Sequence, residues 1–147
     1  MLCWMPFAQR RKRVSWTQQS PKPLSAKPKP KQPRQQTMCE DTTARIRELN
    51  DHARLTCTGC RVIISLGVAQ LGDLGVHAIL RRVQLYDDFT ADNDPYGEHD
   101  FGSFRQGTNM IFWRFDYYDL DFAMHSPDPA DETVTARVLT IMLAEEY

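Results

Sequence analysis

The sequence predicts an α+β domain: three helices packed on a small sheet that contains an antiparallel hairpin, in the order α-β-α-β-β-α. Three observations carry this expectation. Apolar residues recur at helical spacing around 43–55, 73–86 and from 129 onward, a short β-branched run occupies 61–65, and 99–118 alternates about a turn. Helices set apart from an antiparallel pair make an α+β architecture.

The first helix is expected over 43–55, where Ile46, Leu49 and Ala53 share a face, Thr42 or Thr43 can cap it and Gly59 stops it. Arg61-Val-Ile-Ile-Ser65 lies between Gly59 and Gly67 and reads as a strand. A second helix over 73–86 places Val76, Ile79, Leu80 and Val83 on one side. The hairpin pairs 99–105 with 110–118 around Gln106-Gly-Thr-Asn109, and a two-residue Gly107-Thr108 turn suits type II′. That register sets His99 opposite Asp116, Phe101 opposite Arg114 and Gly102 opposite Trp113. One face then carries Phe104, Ile111, Trp113, Phe115 and Tyr117, and the other His99, Phe101, Ser103, Phe112, Arg114 and Asp116. A last helix is expected after an Asp128 N-cap, with Pro129 at its first position and Val134, Val138, Ile141 and Met142 as its stripe.

Charge divides the chain. Residues 1–37 hold nine basic residues and no acidic one, whereas 38–147 hold nine arginines, no lysine and all nineteen carboxylates. The first segment alternates Pro and Lys, cannot form a helix and lacks apolar area to offset ordering entropy. It reads as a disordered basic extension, either an upstream-start addition before Met38 or an arm for nucleic acid or an acidic partner. Residues 38–147 read as one α+β domain, whose charge of −10 disfavours direct binding to nucleic acid. In the N-terminal segment the basic run Arg10-Arg-Lys-Arg13 follows a short apolar stretch, the wrong order for a secretory signal, and no segment has the length of a membrane span, so a cytoplasmic location is expected. Cys57-Thr-Gly-Cys60 follows a helix and precedes a strand, the reverse of a redox CxxC, and no second pair completes a zinc set.

The densest chemistry is Asp92-Asn-Asp-Pro-Tyr-Gly-Glu-His-Asp100, four carboxylates and a histidine in nine residues. Glu98, His99, Asp100, Arg114 and Asp116 are the candidate catalytic residues. A carboxylate can orient an imidazole, and an arginine fork can hold a phosphate. Asp94, Glu98, Asp100 and Asp116 are the candidate metal ligands, although no cofactor is required by the sequence. Asp92 and Asp94 match calcium-loop positions, but Tyr96 and Ser103 stand where ligands are needed, so this is no EF-hand. The structural alternative assigns Asn93, Pro95, Gly97 and Gly102 to a turn and His99–Asp116 to a satisfied pair. Asp116-Tyr-Tyr-Asp-Leu-Asp121 extends the acidic surface.

Asn93-Asp-Pro-Tyr-Gly-Glu-His-Asp-Phe-Gly102, the run Phe-Trp-Arg-Phe-Asp-Tyr-Tyr-Asp at 112–119, Ser-Pro-Asp-Pro-Ala-Asp at 126–131 and the closing Leu-Thr-Ile-Met-Leu-Ala-Glu-Glu-Tyr147 resemble the bacterial domain-of-unknown-function family 3768. The resemblance runs from about residue 43 to the end and leaves the basic segment outside it. It implies a proteobacterial setting, often on mobile elements, and transfers neither a catalytic residue nor a cofactor. The expectation is a small acidic accessory factor that binds another protein, a basic one in the fullest form of the idea. The alternatives are a metal- or His/Asp-dependent phosphoester hydrolase, and an antitoxin-like or nucleic-acid-mimicking binder.

Overall fold

The computed structural model describes the backbone of residues 33–147 and the side chains from residue 40. Residues 1–32 lie outside the described residues, with that part of the expectation of disorder, whereas residues 33–37, placed in the same extension, begin the first helix. The elements are α1 (Pro33–Thr56), β1 (Arg61–Ile64), α2 (Leu66–Ala69), α3 (Gly72–Gln84), β2 (Phe101–Gln106), β3 (Asn109–Tyr118) and β4 (Ala136–Leu143), closed by a 3-10 turn at Ala144–Glu146. They form an α+β domain of three helices and one mixed sheet in the order β1-β4-β3-β2.

The hairpin has the expected register. Phe101 pairs with Arg114, Gly102 with Trp113 and Gln106 with Asn109. Gly107 takes φ +60° while Thr108 keeps a negative φ, as a II′ turn requires. Helix α1 starts ten residues before the expected position, and the short α2, capped by Ser65, was not expected.

The predicted last helix is a strand. β4 runs parallel to β1 and antiparallel to β3, and it is central in the sheet. Val138 and Met142 on one face of the strand and Leu139 and Ile141 on the other are all buried, which erases the alternation that marks a strand. The expected helix start is instead a pair of side-chain turns. Asp128 Oδ1 accepts from Ala130 N at 3.0 Å and Asp131 Oδ1 from Thr133 N at 2.8 Å. Glu146, awkward at a helix end, caps α2 from outside: its carboxylate accepts from Ser65 Oγ at 2.6 Å and Gly67 N at 2.9 Å.

The helices supply one layer. Ala53, Val68, Ile79 and Val83 meet Phe104, Ile111, Trp113, Phe115, Leu139 and Ile141 on the inner face of the sheet, with Trp113 at the centre. Tyr86 and Phe89 present their edges or faces to it at 5.4 and 6.2 Å between ring centroids. On the outer face Phe101, Phe112 and Tyr147 form an aromatic group with centroids 5.5 to 6.3 Å apart.

Candidate functional site

A polar stripe on α1 organises the loop 85–100. Arg47, Asn50, Asp51 and Arg54 stand at i, i+3, i+4 and i+7, so they share one face of the helix. Arg47 Nε donates to Gly97 O at 2.5 Å. Asn50, fully buried, donates to Glu98 O at 2.9 Å and to Tyr117 Oη at 2.6 Å, and accepts from Arg137 Nε at 3.2 Å. Arg54 Nη1 donates to Val83 O and Gln84 O at 2.8 and 2.9 Å, closing the C-terminal end of α3. Its Nη2 donates to Asp51 at 2.9 Å.

The loop also folds on itself. Asp94 N donates to Thr90 O at 2.8 Å and Gly97 N to Asp94 O at 3.1 Å, with Gly97 at φ +70°. The Asp94 carboxylate, almost fully buried, accepts from Glu98 N at 3.0 Å and His99 N at 3.2 Å. Asn93 Nδ2 donates to Asp88 O at 2.7 Å, and its Oδ1 accepts from Thr90 N at 2.8 Å. Asn93, Pro95 and Gly97 lie in this turn. Gly102 does not: it lies inside β2, beneath the Trp113 ring.

The His99–Asp116 pair is absent. The hairpin's ladder ends with Phe115 N donating to Asp100 O at 2.7 Å, and His99 then turns away with φ +53°. Its Nδ1 sits 3.0 and 3.1 Å from the two Asp51 oxygens, and its Nε2 is 3.7 Å from Asp94 Oδ2. The ring stacks on Phe89 at 3.7 Å with 4° between planes. Arg54, Asp51, His99 and Asp94 thus form a polar ladder that pins the loop to α1. His99→Ala removes the contacts to Asp51 and the stack on Phe89, and leaves a non-glycine residue at positive φ. A loss of about 2 kcal/mol in urea denaturation is expected. His99→Asn, which tolerates that backbone better, should lose less.

Glu98 and Asp100 face a different environment. Both side chains are half-buried, and no ion pair reaches either among the described residues. Burial pushes the Glu98 carboxyl above its ordinary value, and the nearby Asp100 and Asp94 add to this. Burial likewise raises Asp100, with Asp94 and Asp116 contributing. Asp116 is held by Arg114, whose Nε lies 3.1 Å from Oδ2 as an ion pair too poorly aligned to count as a hydrogen bond. Arg114 also lies over the Tyr147 ring at 5.7 Å. Among the described residues no three His, Cys, Asp or Glu side chains come together as a metal set, so Asp94, Glu98, Asp100 and Asp116 do not converge as ligands.

A family model described as protein of unknown function (DUF3768) matches residues 64–146, more than half of the chain. The chain belongs to this family. No curated protein and no solved structure matches it significantly. The DUF3768 segment contains every candidate residue named from the sequence, from Asp94 to Asp116, whereas the α1 stripe that holds the loop lies before it. The stripe and Phe89 were missed from the sequence. Their signal was present in the polar period 47, 50, 51, 54, beside the apolar 46, 49, 53 that defines the helix. Among the described residues no helix is long and apolar enough to cross a membrane.

Proposed function

We propose that this DUF3768 domain works by binding a basic protein, with cations of the partner seated on the Glu98–Asp100 rim and apolar side chains on the outer face of the sheet. The observation that carries the reading is the pair of half-buried carboxyls, Glu98 and Asp100, crowded by Asp94 and Asp116 with no ion-pair partner among the described residues. A partner's arginine or lysine would relieve that repulsion. Exposed apolar groups support it. Ile63 and Met110 lie on the outer face at 44% and 36% exposure, Met110 two residues along β3 from Phe112 of the aromatic group. The bacterial mobile-element setting that the family resemblance suggests agrees with an accessory or antitoxin-like binder, by analogy of context alone.

Hydrolysis of a phosphoester is the second reading, favoured by the same raised carboxyls, since a carboxyl that holds its proton can act as a general acid. His99 lends it less, because both ring nitrogens face carboxylates. The deciding experiment captures partners on the tagged full chain at low salt, then repeats the binding with each purified candidate. The expected result is a basic protein whose binding is lost in Glu98→Gln/Asp100→Asn and in Phe112→Asp, both still folded. Retention by both variants, or capture of nothing basic, overturns the reading. Turnover of a phosphoester that disappears in Glu98→Gln/Asp100→Asn would establish the hydrolase instead.

The same double variant has an expected effect on stability. Both carboxyls hold their protons more tightly folded than unfolded. Stability therefore falls as pH rises from the ordinary carboxyl range through the raised values, and the penalty is complete above them. Neutralising both should stabilise the domain at pH 7 by about 0.5 kcal/mol, a modest figure because water screens half-buried groups. The advantage should vanish toward pH 4, as thermal melts across that range would read.

A further inference from the structure

The two edges of the sheet are finished differently. At the β2 edge Arg82 of α3 donates to Arg105 O and to Gln106 Oε1, so a side chain covers part of the open ladder there. β1 ends the sheet on the other side and pairs with β4 alone among the described residues. Its parallel ladder alternates. Ser65 N donates to Ile141 O at 2.9 Å, so Arg61 and Ile63 also turn their N–H and C=O toward β4, and Val62 and Ile64 turn theirs outward. Among the described residues no hydrogen bond from outside the sheet reaches those four groups. Ile63 lies between them. Its neighbours Val62 and Ile64 pack toward the core, so Ile63 points to the other face, where it is 44% exposed.

An open edge of this kind recruits another strand. We infer that β1 pairs with β1 of a second copy of this chain, joining two four-stranded sheets into one continuous sheet. The edge is complementary to itself. Two copies related by a two-fold axis at Ile63 run antiparallel, with Val62 of each opposite Ile64 of the other. Both become hydrogen-bonded pairs, and the outward N–H and C=O groups of each copy all find partners. Ile63 meets Ile63 of the second copy as the closer, non-hydrogen-bonded pair, with Cα atoms about 4.5 Å apart. That contact covers the exposed apolar side chain with another β-branched one. Arg61 stands opposite Ser65 of the second copy, so no arginine is set against its own image. The seam lies at the edge away from β2, into which Glu98 and Asp100 lead. It therefore leaves that rim open and stands apart from the proposed basic partner.

Sedimentation equilibrium of the full chain tests this, under reductant and in about 0.5 M salt, which screens attraction between the basic and acidic parts of neighbouring molecules. The seam is short, so the expected result is a weak dimer, with a dissociation constant on the order of 0.1 mM. Ile63→Lys, an exposed change outside the core, sets two like charges across the axis and should weaken the dimer about tenfold or more. Backbone amide exchange read by NMR locates the seam without any substitution. At about ten times the dissociation constant roughly a fifth of the chain is monomeric, so exchange at Val62 and Ile64 should slow about fivefold relative to dilute protein. A chain still monomeric at about 1 mM would overturn the inference. So would a dimer that Ile63→Lys leaves intact, or exchange at Val62 and Ile64 that does not respond to concentration.

Discussion

Arg54→Leu is expected to destabilise the domain by about 3 kcal/mol, because it strands two backbone carbonyls and a partly buried carboxylate without their donor. The side chain is 4% exposed and does three things at once. It closes the end of α3 through Val83 O and Gln84 O, it neutralises Asp51, and it lies 5.5 and 5.6 Å from the Phe89 and Trp113 ring centres. Leucine leaves two carbonyls and a carboxylate without their donor. Asp51 is also the anchor of His99, so the loop 85–100 should loosen together with the helix end. The unpaired, buried Nε of Arg54 offsets part of the loss, since leucine removes that burden too. Arg54→Lys keeps the charge but cannot span both partners, and should fall between the two. Urea denaturation followed by circular dichroism measures this. A loss under about 1 kcal/mol would mean the ladder contributes little beyond packing.

How legible this molecule is in its sequence depends on how local the determinant is. The hairpin could be read because its turn and its alternation lie within 20 residues and one face is solvated, so the period of two survives. β4 could not. As a central strand it buries Val138 and Met142 on one face and Leu139 and Ile141 on the other. A run that is apolar on all sides looks alike whether it is a buried strand or a buried helix. Asp128-Pro129 then supplied a convincing but misleading cap, because the side-chain turn that begins a helix is the same turn that precedes a strand. The turn chemistry of Asn93, Pro95 and Gly97 is local and therefore visible in the sequence. The loop's tertiary partners are not. His99 meets Asp51, 48 residues upstream, and no pairing register reaches that far. One residue at positive φ was enough to detach His99 from the strand that the alternation had assigned to it. Glu98 and Asp100, singled out for their density of charge, are carboxyls that burial pushes above their ordinary range.

Gly102→Ala is the second large effect expected, and it tests the packing at the centre of the sheet. Gly102 faces Trp113 across the ladder, and a methyl group there would lie 2.6 Å from Cε2, Cζ2 and Nε1 of the indole. Real carbon contacts do not come so close, so something must move. The indole is fully buried and is enclosed by Tyr86, Phe89 and Phe115 at centroid distances of 5.4 to 6.3 Å. It cannot swing aside without displacing them, and β2 cannot retreat without breaking its pairing with β3. Overpacking of this kind costs about 3 kcal/mol at its upper range. The glycine at 102 is thus explained by the width of a tryptophan, not by a turn. A double-mutant cycle isolates that cause. Trp113→Phe shortens the ring on the crowded side and by itself costs about 1–2 kcal/mol for the lost volume. Combined with Gly102→Ala it should recover at least about 1 kcal/mol relative to the sum of the two single losses, because the added methyl fills part of the space vacated. Additive losses would place the cost of the alanine in the backbone of β2 instead, and a Gly102→Ala loss below about 0.5 kcal/mol would show that the sheet yields easily there.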